Sequence, residues 1–370
     1  MKNTLRKAFL MMIFAIIAVG GAFGQRVGDT VQVSGQPYTI ETVSGDVLTL
    51  RKVAAQGDGP VNWVAVDATG AFGTANNNNQ INGVAFGNNT WVAVGSGGKI
   101  AYSTDNGRSW TGVPAGTAAN QTGFRSVTSV NAVAFANNMF IAVGGDGTNA
   151  GLAGISYSTD GRTWTAVASP PQGGWNGIAY GGGRWVIVGG FAQSVPTQIA
   201  YSTDGRTWTM VDVSGAIPSN VNAVAFANNR FVAISNGRTA TSTNGSSWTA
   251  AANSPSNILR DIAYGNNRWV TVGNGRRMAY SSDGAAWTTV TNANTGNFDG
   301  SNDIFGVGFG NNRFVAVGVL GKISYSTDGA AWTGVANSTF ANNITIRAVA
   351  YGNGRFVAVG TNGRMAYCDW

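Results

Sequence analysis

The 370-residue sequence predicts an all-β chain: a seven-bladed β-propeller of four-stranded antiparallel blades, closed by an N-terminal strand. Three observations carry this reading. A short apolar phrase (NGVAF, NAVAF, NGIAY, NAVAF, RDIAY, FGVGF, RAVAY) recurs with its last aromatic at Phe86, Phe135, Tyr180, Phe226, Tyr264, Phe309 and Tyr351. Every copy continues into a turn such as GNNR, a strand such as WVAVG, a second turn, a strand such as KIAYS, an STDG turn and a last strand WTxV. The composition, 54 Gly against 8 Pro with 11% charged residues, suits many short strands joined by tight turns. Four strands per repeat with no helical period between them describe one blade, which buries its faces only when the repeats stack.

Taken in order, residues 1–24 read as a signal peptide. Lys2, Arg6 and Lys7 precede an apolar run from Ala8 to Val19, and small residues end at Gly24. The run is shorter than the roughly 20 apolar residues of a spanning helix. No stable membrane insertion is therefore expected after cleavage, and the chain is expected to be secreted, periplasmic or on the cell surface. Residues 25–60 follow as a small β appendage and linker, with three short strands in 31–53 and AAQGDG at 54–59. They hold too little core to stand alone. The propeller occupies residues 61–370. Its seventh copy runs out at MAYCDW where a fourth strand is due. VNWVAV (61–66) has the Trp and the apolar pattern of that strand, so the N-terminal segment is expected to complete the last blade and cover its edge.

YSTDGRTWT stands at residues 157–165 and again at 201–209. An Asp in such a turn accepts from backbone N–H groups ahead of it, and the Gly supplies a positive φ. The aspartates Asp105, Asp160, Asp204, Asp283 and Asp328 are accordingly read as structural. Asn244 replaces the Asp in the fourth copy and can form the same turn, a swap that a catalytic acid would not permit. Ser103 to Trp110 fits the pattern S-x-D-x-G-x-[ST]-W, and the later copies are the same turn one residue shorter. The chain thus resembles the Asp-box (bacterial neuraminidase repeat) propeller superfamily, which includes sialidases and photosystem-assembly-factor-like propellers, over about residues 61–370. The resemblance implies that the box joins third and fourth strands at the outer edge of a blade, away from any active site. It also implies a sialidase set of an arginine triad, a Tyr/Glu nucleophile pair and an Asp acid. This chain departs from that set: its only Glu is Glu41, outside the propeller.

The residue supply narrows the chemistry. There is no His and one Cys, Cys368, so the usual zinc sites, His-based catalytic pairs and internal disulfides are excluded, and no cofactor or metal is expected. Three of the 23 basic residues lie in the leader, and the rest are scattered at repeat positions rather than gathered into a stripe. Nucleic acid is therefore not an expected partner. Outside the boxes, Asp146, Asp212, Asp261, Asp299 and Asp303 are read as solvated loop or turn residues. A glycoside hydrolase would have to use two of these alone, so no enzyme activity is expected.

With the first strand of each repeat innermost, the blade-to-blade loops share one face of the ring with the turns between second and third strands. GNNR turns and boxes share the other face. The irregular loops (67–80, 114–130, 169–176, 291–303, 336–343) fall on the first face, where specificity usually resides. Four residues before the aromatic anchor stand Asn82, Asn131, Asn176, Asn222, Arg260, Phe305 and Arg347, which converge on the channel mouth. Either they cap loop backbone, or with Trp175, the one Trp without a place in the repeat, they form a ligand site. Lys99, Arg238, Arg277, Lys322 and Arg364 are read as a solvated rim. Arg230 and Arg313, on the opposite face, are expected to be dispensable for binding. The function expected is an exported, monomeric, non-catalytic binding propeller for a glycan or other polar or anionic ligand. The alternative is a protein-interaction or assembly scaffold with an envelope protein as partner.

Overall fold

In the computed structural model, seven four-stranded antiparallel sheets and one three-stranded sheet are present. Residues 30–33, 36–44, 47–52, 62–73, 79–114, 123–124, 129–145, 154–190, 198–255 and 257–370 are described. The signal peptide, the linker, Asp146 and parts of the irregular loops lie outside them. The chain falls into two units, Met1–Pro60 and Val61–Trp370. In the first, Thr30–Val33, Gln36–Ser44 and Val47–Lys52 form an antiparallel sheet in chain order. Among the described residues no helix is long and apolar enough to cross a membrane.

Each blade of the second unit is built in the order of its strands, as in Ile81–Gly87, Thr90–Gly95, Ile100–Ser103 and Thr111–Gly112. First strands touch first strands all round the ring, and Ile346–Gly352 meets Ile81–Gly87 to end the circle. The second strand is covered on both faces, so it reads as an unbroken apolar run; Thr90–Gly95 and Met139–Gly144 are buried at every position. Fourth strands are two or three residues long and mostly exposed. In the last blade the fourth strand is Val64–Val66, paired antiparallel with Met365–Asp369, and Trp63 just before it is 4% exposed.

Local chemistry sets the turns and the stacking. In GNNR turns both Asn residues are left-handed, as at Asn88 (φ 45) and Asn89 (φ 54), the geometry a two-residue hairpin demands. The anchor aromatic stacks on the aromatic that opens the second strand, as in Phe86–Trp91 at 5.0 Å and Phe135–Phe140 at 4.6 Å between ring centroids. The same anchor lies against the backbone of the preceding blade. A Cβ on Gly87 would fall 2.0 Å from the Phe135 ring, and one on Gly352 would fall 2.4 Å from Phe86. Glycine is required there because neighbouring blades approach within a side chain's thickness.

The boxes form one repeated network. Ser158 Oγ donates to Asp160 Oδ1 (2.9 Å), which also accepts from Arg162 N and Thr163 N (both 2.8 Å), and Trp164 Nε1 donates to Gly161 O (3.1 Å). Asn244 holds the same two N–H groups, those of Ser246 and Ser247. The box backbone is also an acceptor for the preceding blade. Arg184 Nη1 reaches Asn244 O (2.9 Å), Arg230 Nη1 reaches Asp283 O (2.6 Å), Arg268 Nη1 reaches Asp328 O (2.8 Å), and Arg355 Nη1 reaches Asn106 O (2.5 Å) across the ring closure. Arg230 and Arg313, read from the sequence as dispensable for binding, both make structural contacts on that face. Arg230 holds two blades together. Arg313 is 2% exposed, against Trp370, which occupies the place where its box partner would stand.

Candidate binding site at the channel mouth

All seven first strands carry a register irregularity at the same place, between the fifth and third residues before the anchor: Ile81/Gly83, Trp175/Gly177, Val221/Ala223, Leu259/Asp261, Ile304/Gly306 and Ile346/Ala348, with Val130 and Ala132 flanking it in the second blade. The bulged residue is left out of the ladder and its side chain is re-aimed. Those residues are Asn82, Asn131, Asn176, Asn222, Arg260, Phe305 and Arg347. The structure brings all seven to one cavity of about 360 Å³, which Asn220 also lines. A deeper cavity of about 300 Å³ adds the next two positions of the strands, including Asp261.

The four asparagines form a relay. Asn82 Nδ2 donates to Val130 O (3.0 Å), Asn131 Nδ2 to Trp175 O (2.9 Å), Asn176 Nδ2 to Val221 O (3.1 Å) and Asn222 Nδ2 to Leu259 O (2.6 Å). Each acceptor is the carbonyl just before the next blade's bulge, so the amide joins blades, and the carbonyl partner fixes which side of the amide is nitrogen. The Oδ1 atoms of these four accept no hydrogen bond from a described residue. Asn220 Oδ1 is buried without a partner.

Cations complete the other half of the mouth. Arg260 and Arg347 flank Phe305, their Cζ atoms 4.9 and 5.7 Å from its ring centroid. Arg260 Nε donates to Asn274 Oδ1 (2.7 Å), whereas Arg347 Nε is buried with no partner. Burial first, and then the nearby Arg260, lowers the Arg347 pKa. Neither arginine is paired with a carboxylate among the described residues. One side of the mouth is thus lined by amide oxygens, the other by guanidinium donors.

Two sequence expectations fail here. Trp175 is fully buried in the hydrophobic core, with Nε1 donating to Pro171 O (3.2 Å), and cannot be a ligand platform. It does have a place in the repeat, that of Ile81, Val130, Val221, Leu259, Ile304 and Ile346, all 0–1% exposed. Asp261 is no solvated turn residue. It stands where other blades have Gly83, Ala132, Gly177, Ala223, Gly306 and Ala348, and its oxygens accept from Ile262 N (2.8 Å) and Val307 N (2.9 Å). Burial pushes its carboxyl up to about 7 against the pull of those two hydrogen bonds. A charged residue at a position otherwise held by Gly or Ala was the available signal. The other free aspartates are turn residues: Asp212 accepts from Ser214 N, Asp299 pairs with Lys322, and Asp303 accepts from Gly275 N. The rim is also less solvated than expected, since Lys99 Nζ is held by Phe72 O (2.7 Å) and Asn79 Oδ1 (2.9 Å).

No protein-family model and no curated protein matches the chain. Solved structures do match in fold. YCF48 bound to a D1 peptide is similar with a TM-score of 0.63 at 16% identity, covering 85% of this chain and 96% of that one. YCF48 from Cyanidioschyzon merolae has a TM-score of 0.59 at 16% identity, covering 83% and 98%. A catalytically inactive virginiamycin B lyase from Staphylococcus aureus with quinupristin has a TM-score of 0.64 at 11% identity, covering 84% and 99%. At these identities the likeness is one of fold, a propeller architecture shared by proteins with different tasks.

Proposed function

We propose that this chain is a non-catalytic interaction propeller whose channel mouth takes an anionic group of a partner polypeptide. The observation that carries the reading is the Arg260–Phe305–Arg347 cluster, two guanidinium groups held about one ring with no ion-pair partner among the described residues and with Arg347 Nε unpartnered. Guanidinium donors so placed are suited to a carboxylate or phosphate. That a similar propeller was solved with a peptide bound lends support to a polypeptide as the partner class. The leader at 1–24 fits an envelope or extracellular setting, which detection of the processed chain outside the cytoplasm would test.

A carboxylated glycan is the second reading, favoured by the four amide oxygens that accept nothing from the described residues and by the aromatic ring at the same mouth. Titration of acidic peptides and a glycan array separate the two. For whichever class binds, Arg260→Ala with Arg347→Ala should weaken affinity by about 100-fold or more, with a strong salt dependence, since each charge-assisted hydrogen bond contributes roughly 1.5–3 kcal/mol. Arg108→Ala with Arg206→Ala, exposed box residues on the opposite face, should leave affinity within about twofold, because a surface charge far from the ligand is screened. Equal loss in both double variants would remove the mouth from consideration.

A further inference from the structure

Beneath the arginines the channel carries a charge of the opposite sign. Of the residues lining the deeper cavity, Arg260, Asp261 and Arg347 are the only charged ones. The outer cavity is lined by the bulged residues without Asp261, so Asp261 lies one step further in. It forms no ion pair with either arginine. Each of its oxygens is held by one backbone N–H, from its own strand and from the next blade, which fixes the carboxyl and leaves about two of its four acceptor sites free. An acid at this position is not needed for the fold, because six other blades hold it with Gly or Ala.

We infer that Asp261 is a cation subsite, so that the channel takes a dipolar group: a carboxylate at Arg260 and Arg347 and, deeper, an ammonium on Asp261. This rests on the reading of the mouth as an anion site and adds the chemical class of what enters it, an aminocarboxylate, either free or as neighbouring acidic and lysine side chains of a peptide. Burial raises the Asp261 carboxyl to about 7, so an arriving ammonium displaces a proton near neutrality. The charged groups that line the same cavity as Asp261 are Arg260 on its own strand and Arg347 on the strand of the seventh blade, and the adjoining strand of the sixth blade contributes only Phe305 and Val307 to the lining. Rising pH should therefore strengthen binding of the dipolar ligand and weaken that of a simple anion.

The test is calorimetric titration of the full chain with glycine, 4-aminobutyrate, 6-aminohexanoate and hexanoate at about one unit either side of the Asp261 pKa of about 7. At the higher pH one aminocarboxylate of the series should bind about 10-fold more tightly than hexanoate, the worth of one charge-assisted contact. Near neutrality its binding should release protons, read from the dependence of the heat on buffer. Asp261→Ala, which installs the residue of Ala132, Ala223 and Ala348, should abolish both effects while hexanoate still binds; Asp261→Asn serves as a second variant whose folding is checked by melting. A blocked peptide carrying one Asp and one Lys, run alongside, assigns the source. Hexanoate binding that depends on the arginines but gains nothing from an ammonium would overturn the inference and leave the proposed function intact. Hexanoate binding indifferent to Arg260→Ala with Arg347→Ala would sink the reading of the mouth itself, and with it the inference. Absence of binding across the whole series overturns the inference.

Discussion

Asp160 and Asp261 show how environment divides one residue type into two roles. In the boxes, backbone N–H groups face a carboxyl at the surface; for Asp204 the hydrogen bond from Thr207 N, opposed by partial burial and aided by Arg206 N, holds it down at about 2. Asp160→Ala should cost about 0.5–2 kcal/mol of stability, as the loss of a side-chain cap does, and leave ligand affinity unchanged; a binding loss without a stability loss contradicts the structural role. The pH signs are opposite at the two kinds of site. A box carboxyl depressed below its unfolded value stabilises above about pH 4 and loses that contribution as pH falls toward 2. Asp261, raised to about 7, keeps its proton longer in the folded state, so stability falls as pH rises from about 4 to 7, by at most about 4 kcal/mol. Denaturant midpoints should therefore peak in mild acid, and Asp261→Ala should flatten the decline toward neutrality.

At the scale of an element, Val64–Val66 is the most consequential short strand. It is the ladder partner on the outer side of Met365–Asp369 among the described residues, and Trp63 beside it is nearly buried in the same hydrophobic cluster as Val315, Phe356 and Cys368. Removing residues 25–66 takes away that strand and a buried Trp, worth about 3–5 kcal/mol for the side chain alone, and exposes a long edge. Removing residues 25–56 takes away neither. Only the longer deletion should lower the melting temperature of the propeller strongly; equal losses would mean that the strand contributes nothing the rest of the ring lacks.

At the scale of the whole ring, blades are linked by arginines that open the second strands, and the chain contains its own control. Arg355, 1% exposed, bridges the seventh blade to the first through Asn106 O and grips Asp369 with two nitrogens (2.5 and 2.8 Å). Arg313 has the same strand position and the same burial, but no box faces it and its Nη2 is left without a partner, over Trp370 at 4.5 Å. Replacing a buried charge that is well paired is costly, whereas replacing one that is not can be neutral. Arg355→Met should destabilise by about 1–3 kcal/mol, chiefly through the lost hydrogen bond to Asn106 O because Asp369 is exposed, and Arg313→Met by less than about 1 kcal/mol, in chemical denaturation. Equal effects would show that packing of the aliphatic stem, rather than the bridge across the ring, is what these arginines contribute.

The repeat alone determined the architecture. Seven aromatic anchors and the Asn-Asn and Asp-Gly turns carry their own local physics, because positive φ and alternating burial are written residue by residue, and the blade count follows from their spacing. The ring of asparagines and arginines was also legible as a column of the repeat, though not the reason it faces the channel, since a bulge comes from how two strands register and leaves no mark in hydrophobic periodicity. Trp175 looked exceptional because a large side chain stood in a column of Ile, Val and Leu; only packing showed that the core has room for it. Asp261 was visible as an acid among glycines and alanines, but its altered proton affinity comes from the fifth and sixth blades enclosing it, 46 residues apart in sequence at Val307. Arg230 and Arg313 read alike in sequence, and whether each finds a carbonyl depends on what the neighbouring blade presents. Tertiary structure decided these points because burial, partner supply and electrostatic environment belong to pairs of distant segments, while turn and strand preference belong to single ones.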